Sequence, residues 1–133
     1  MWLLDTNAWI AYLERAPNPV KARVAEHAES DILLCDVVKA KLLYGAFKST
    51  RVEQNLAKLD ILFSLVKSLP FDSRAARQFG EIRAYLAKQG TPIGPYDLQI
   101  AAIARAHNLT LVTHNTREFS RVPDLELEDW ETE

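Results

Sequence analysis

A short apolar run, Trp2-Leu3-Leu4, ends abruptly in a carboxylate, a hydroxyl and an amide at Asp5-Thr6-Asn7. A strand buried on both faces reads as a continuous hydrophobic run, and open α/β sheets bind ligands just beyond the carboxyl ends of such strands. Asp5 therefore stands at the mouth of a site, as a metal ligand, a nucleophile or a cap for the following helix. A second carboxylate, Asp97, follows the rigid turn Pro92-Ile93-Gly94-Pro95 and opens a helix, where it complements the dipole and can also project outward. A third polar stretch, Thr113-His114-Asn115-Thr116-Arg117-Glu118, follows an apolar run that ends at Val112. Taken singly, these residues read as a cap, a dipole complement, a loop amide and a surface charge. Convergence changes the chemistry, because clustered carboxylates repel one another unless a cation joins them, and Mg²⁺ or Mn²⁺ prefers oxygen ligands.

Positioning them requires an alternation of helices and strands. A short helix is predicted over residues 7 to 14, and Asn18-Pro19 reads as an N-cap followed by proline at the first helical position, starting a helix to about His27. Ile32 to Leu34 reads as a strand, Asp36 as the cap of a helix to about Lys48, and residues 51 to 64 as another helix. Val66 to Leu69 is a weak strand. Asp72 or Ser73 caps a long helix that stops at Gly90, and Tyr96 and Asp97 begin a helix to about His107. Leu109 to Thr113 forms a strand, Thr116 to Phe119 a helical turn, and Leu125 to Leu127 a final strand. Strands alternating with helices predict an α/β fold with a parallel sheet covered on both faces.

The 133 residues fit one domain spanning 1–133, with 48% hydrophobic and 26% charged residues and no repeat. No apolar run reaches the length of a membrane span and the start lacks a signal-peptide pattern, so a cytoplasmic protein without membrane contact is expected. The single Cys35 cannot form an internal disulfide and reads as a small buried hydrophobe. Net charge is −2, but six of the 18 acids fall in the last ten residues, leaving 16 bases against 12 acids before them. This mildly basic body permits a phosphate-bearing substrate without demanding one.

Three segments in register carry a resemblance: Leu3-Leu4-Asp5-Thr6-Asn7, Pro92-Ile93-Gly94-Pro95-Tyr96-Asp97-Leu98-Gln99-Ile100-Ala101, and Leu111-Val112-Thr113-His114-Asn115-Thr116-Arg117-Glu118-Phe119. With Leu43 to Ser49 and Glu128-Asp129-Trp130 they extend it over the whole chain, which resembles the PIN-domain ribonucleases, and among them the VapC toxins of bacterial toxin–antitoxin pairs. That resemblance implies a Mg²⁺-dependent endoribonuclease, Mn²⁺ serving as well, built as a three-layer sandwich of helices around a central parallel sheet. It also implies a cognate VapB-type antitoxin and a homodimer. By the same resemblance Asp5 and Asp97 are metal ligands, while Asn115 and Glu118 orient a second metal or its water. The Thr-x-Asn-Thr-Arg-Glu-Phe stretch is similar to VapC toxins that cut the anticodon stem-loop of initiator tRNA.

One position departs from the family. VapC proteins usually read Ala-Glu-Leu-x-Tyr-Gly where this chain has Ala40-Lys41-Leu42-Leu43-Tyr44-Gly45, so Lys41 stands in the place of the glutamate. On a helix from Asp36 it interrupts an apolar stripe, and its ammonium either snorkels to solvent or enters the carboxylate cluster. In the cluster it competes with the cation and predicts weak Mg²⁺ binding and poor RNA cleavage. Two rival readings follow. A haloacid-dehalogenase-type phosphoryl transferase needs a second Asp two residues after the first, where Asn7 stands. An inactive PIN domain would serve only to bind its antitoxin, and metal-dependent RNA cleavage separates it from an enzyme. Lys48, Arg51 and Arg117 read as phosphate contacts or as solvated surface. Leu56, Leu59, Ile61, Leu62, Phe63 and Leu65 read as core or as the groove for an antitoxin helix.

Overall fold

The computed structural model describes residues 1–132. Its centre is β1 (Trp2–Leu4), flanked by β2 (Ile32–Cys35) and β4 (Thr110–Val112), with β3 (Ser68–Leu69) and β5 (Leu127–Glu128) at the edges. The order is β3-β2-β1-β4-β5 and every pairing is parallel, with Trp2 opposite both Ile32 and Thr110. Leu33, Leu34 and Cys35 are all buried although successive side chains point to opposite faces, so helices must cover both sides. The α/β sandwich expected from the alternating pattern is therefore present. Each edge strand is only two residues long, which leaves little unpaired backbone to recruit another chain.

Local chemistry accounts for the helices. Asp5 caps α1 (Thr6–Leu13), and Asn18 caps α2 (Pro19–Ala25) by accepting from the Lys21 amide at 3.0 Å, with Pro19 at the first helical position. Asp72 caps α5 (Ser73–Gln89) through the Ala75 amide, and Gly90 ends it at φ +69°, a conformation glycine adopts without strain. The intervening helices are α3 (Asp36–Phe47) and α4 (Val52–Leu65), and α6 (Pro95–Ala106) packs along α5 before leading into β4. A last turn, α7 (Thr116–Phe119), follows β4.

Two expectations need correction. Asp36 does not cap α3: it is already the first helical residue, and its Oδ1 accepts from the Ser68 hydroxyl at 2.5 Å, tying α3 to β3. The last strand is Leu127–Glu128 rather than Leu125 to Leu127, because the Leu111 amide bonds Glu126 O and the Thr113 amide bonds Glu128 O.

Glu128 also fastens the two ends of the chain. Its carboxylate accepts from the Trp2 and Trp130 indoles at 3.0 Å each and from Arg23 at 3.3 Å, while His27 stacks on Trp130. Burial pushes this carboxyl up, but the two indole donors and Arg23 outweigh it and leave it below the usual glutamate value. Glu128→Ala is expected to destabilise the fold by about 2–4 kcal/mol in chemical denaturation, since it strands a buried indole N–H, and Glu128→Gln by less.

Candidate active site

The strand order runs outward from β1 in one direction through β2 and β3, then returns to the other side of β1 with β4. The crevice beyond the carboxyl ends of β1 and β4 is thus the switch point where open α/β sheets place their ligands. Asp5 follows β1 at this edge, 7% exposed, with its amide bonded to Val112 O at 3.0 Å. Its Oδ1 accepts from the Ala8 amide at 2.9 Å, so the capping role is real. Burial pushes its carboxyl up, hydrogen bonds from Thr113 and Ala8 pull it down, nearby Glu131 pushes it up and Lys41 lowers it, and the net shift is upward. Capping and a place in the site are compatible for one carboxylate.

Asp97 lies half-buried in the first turn of α6, and the charges it feels from Asp5 and Glu118 put it at the same edge. Its carboxyl is also raised, first by burial and then by the charges of Glu118 and Asp5, with Lys41 opposing. These mutual effects mean that Asp5, Asp97 and Glu118 share one electrostatic neighbourhood, from three distant parts of the chain. Both oxygens of Glu118 are engaged: Oε1 accepts from the Gly94 amide at 3.2 Å and Oε2 from the Asn115 side chain at 2.9 Å. Glu118 therefore holds the turn that presents Asp97, and Asn115 steadies Glu118. The Asn115 amide in turn donates to the Thr113 hydroxyl at 3.0 Å, linking this pair back to Asp5.

Lys41 sits in the second turn of α3, beside the buried stripe Val38, Leu42 and Ala46, on the wall of a groove of about 320 Å³ between α1, α3 and α4. It is half-buried and lowers the carboxyls of both Asp97 and Asp5, so its charge enters the cluster. It acts at longer range than an ion pair, for the ion pairs among the described residues do not include it.

The acidic C-terminal segment, which in the sequence stands apart from the site, is folded against it. Glu131 lies in the field of Asp5, and its Oε2 is buried with no hydrogen-bond partner among the described residues. Asp129 accepts the 3.0 Å contact from Nδ1 of the exposed His114. In the sequence Asp129 belongs to the Glu128-Asp129-Trp130 segment that extends the family resemblance, whereas Glu131 is marked only by its acidity. The Asp129 hydrogen bond and charge, then Glu131 and Asp5, raise the His114 imidazole above its ordinary 6.5. A group with a raised folded-state pKa contributes stability below its unfolded value and loses it as pH climbs through the folded one. In an NMR titration His114 should titrate above 6.5, and Asp129→Asn should bring it back towards that value.

Among the described residues no three His, Cys, Asp or Glu side chains stand close enough to ligate one ion as they are placed. The donor set fits an ion of another habit. Mg²⁺ commonly takes one or two carboxylates and completes its shell with water and substrate phosphate. Asp5 and Asp97, both desolvated and mutually repelling, with the buried Glu131 oxygen nearby, carry the oxygens such an ion would neutralise. Lys41 opposes it.

Elsewhere, Cys35 is fully buried and its thiol is pushed up to about 11, as befits a core residue. Lys48, Arg51 and Arg117 are exposed. The apolar segment of α4 divides: Leu59 and Leu62 are core, whereas Ile61 and Leu65 are 63% and 71% exposed and line a groove of about 200 Å³ with Trp9, Tyr12 and Val24. No helix among the described residues is long and apolar enough to cross a membrane.

Residues 2–125 match the model of the PIN domain. The chain is 40% identical over 129 residues to the "tRNA(fMet)-specific endonuclease VapC" of Salmonella typhimurium, and 42% identical over 129 residues to the protein of that name from Shigella flexneri, covering 97% of each chain in both cases. It superposes with a TM-score of 0.90, at 38% identity and covering 97% of this chain and 98% of the other, on a chain in the crystal structure of VapBC2 from Rickettsia felis bound to a DNA fragment from their promoter.

Proposed function

Because the chain belongs to the PIN-domain family, and within it to the VapC ribonucleases, we propose that it is the toxin of a VapBC pair and cuts tRNA in a Mg²⁺-dependent reaction that Lys41 impairs. The observation that carries this reading is the convergence of Asp5, Asp97 and Glu118 into one field at the β1–β4 switch point. Asp5 and Asp97 would hold the Mg²⁺ or Mn²⁺ ion. Such an ion supplies a Lewis acid and an activated water for in-line attack on a phosphodiester. The chain's own residues do the rest. Asp5 is fixed by the Ala8 amide at the start of α1, so its carboxylate is pre-positioned. Glu118 and Asn115 hold the Gly94 turn and hence the approach of Asp97. Lys48, Arg51 and Arg117 are free to meet the phosphates of a polyanion.

The initiator tRNA, named for two relatives, is the substrate this reading favours, and its anticodon loop offers unpaired bases that an open sheet edge can accept. A VapB-type antitoxin is the expected partner, as in the Rickettsia felis complex, with an apolar helix suited to the groove between α1, α2 and α4. A homodimer and a cytoplasmic setting belong to the same reading. Lys41 supports a second reading, in which this copy is an inactive PIN domain that only binds its antitoxin. The deciding test incubates total tRNA with the chain and with its Lys41→Glu variant across a Mg²⁺ titration, and maps the new ends. Cuts in the anticodon stem-loop from the variant, with fewer from the parent, support the enzyme. No metal-dependent product from either protein overturns it.

A further inference from the structure

Next to the carboxylates, two large aromatic residues stand uncovered. Tyr96 precedes Asp97 in the first turn of α6 and is 58% exposed, with Lys41 Nζ 5.9 Å from its ring centroid. One turn along α3 from Lys41, Tyr44 is 66% exposed, with Lys48 Nζ 5.0 Å from its ring. Lys41 and Tyr44 are spaced i and i+3 and so share one face of α3, and Lys48, the helical-backbone residue that caps its C-terminus, continues that face. Ring, ammonium, ring and ammonium therefore alternate along a track that starts beside Asp97.

Resting on the ribonuclease reading above, we propose that Tyr96 and Tyr44, with Lys41 and Lys48, form a stacking track for unpaired nucleotides flanking the cleaved phosphate. Flat aromatic faces take bases of any identity, and ammonium groups between them take the backbone phosphates. The arrangement selects single-stranded or looped RNA, because in an A-form duplex the base faces are already stacked and unavailable. Charge also separates this occupant from a second copy of the chain. A twofold interface sets a patch against itself and would bring Lys41 and Lys48 towards their own images, whereas a polyanion neutralises them.

The test measures binding rather than turnover. A labelled short single-stranded RNA, and the same sequence as a blunt duplex, are titrated with the full chain in EDTA and followed by fluorescence anisotropy. Tyr96→Ala and Tyr44→Ala are each expected to weaken single-strand binding about 5- to 100-fold, with Tyr96→Phe close to the parent and duplex binding unchanged. Raising salt should weaken the parent and the tyrosine variants with the same slope, whereas Lys48→Ala should flatten it. Both tyrosines are more than half exposed, so the variants should keep the parent's melting temperature. Alanine variants that bind single strands like the parent would overturn the track and leave the ribonuclease reading standing. A parent chain that binds no RNA overturns both. Loss of a dimer in sedimentation on either alanine substitution assigns the face to a second copy and likewise overturns the proposal.

Discussion

Lys41→Glu is expected to tighten Mg²⁺ binding about 100-fold and to raise Mg²⁺-dependent cleavage at saturating RNA by a similar factor. It should also weaken RNA binding, because it removes one ammonium of the nucleotide track. Unit charges about 6 Å apart at an effective dielectric near 20 interact by about 3 kcal/mol, or about two powers of ten in an equilibrium constant. The substitution exchanges a repelling charge for an attracting one, which would double that figure, but Lys41 is only half-buried and solvent screening removes much of the excess. The direction follows from the structure, where Lys41 lowers the carboxyls of Asp97 and Asp5 and thereby offsets part of the negative field that a cation needs. Calorimetric titration with Mg²⁺ measures the affinity and a labelled tRNA measures the rate. A variant with parental affinity and parental rate would mean that the Lys41 ammonium is turned away from the cluster in solution.

Asp97→Asn is expected to act in opposite directions on activity and stability. In the Lys41→Glu background it should lower cleavage by about 10³-fold, corresponding to about 4 kcal/mol of transition-state stabilisation, because it removes one of two proposed metal ligands. In the same molecule it should raise stability at neutral pH by about 1 kcal/mol. Asp97 is raised by burial and by Glu118 and Asp5, so its ionised form is disfavoured in the fold and a neutral amide relieves that cost. The sign with pH follows. As pH falls through the raised folded-state pKa the parent's carboxyl becomes neutral too, so the stability difference should shrink towards zero in acid. A destabilised Asp97→Asn at pH 7 would contradict the repulsion that the carboxylate cluster implies.

Much of the fold is legible residue by residue. The all-buried run Ile32-Leu33-Leu34, the Asn18-Pro19 cap and the Gly90 stop each depend on neighbours a few positions away, and all three stand in the structure where the pattern placed them. Asp36 shows the limit of that reasoning. It has the chemistry of a cap, but its strongest partner, Ser68, is 32 residues away on a strand that no local pattern brings close. The acidic C-terminus shows the same limit, because only the pairing of β5 with β4 carries Asp129 and Glu131 to the mouth of the site.

Sequence alone determined the elements, the carboxylates at their ends and the anomaly of a lysine where the family pattern has a glutamate, since caps, turns and burial periodicity act over a few residues. The strand order was decided by tertiary structure. Setting β4 directly beside β1 creates the switch point, joins Asp5 to Thr113 and brings Asp97, Glu118 and Lys41 into one field. That outcome depends on the pairing of β1 with β4, more than 90 residues apart in sequence, and the charges that tune Asp5 become neighbours only once the chain has packed.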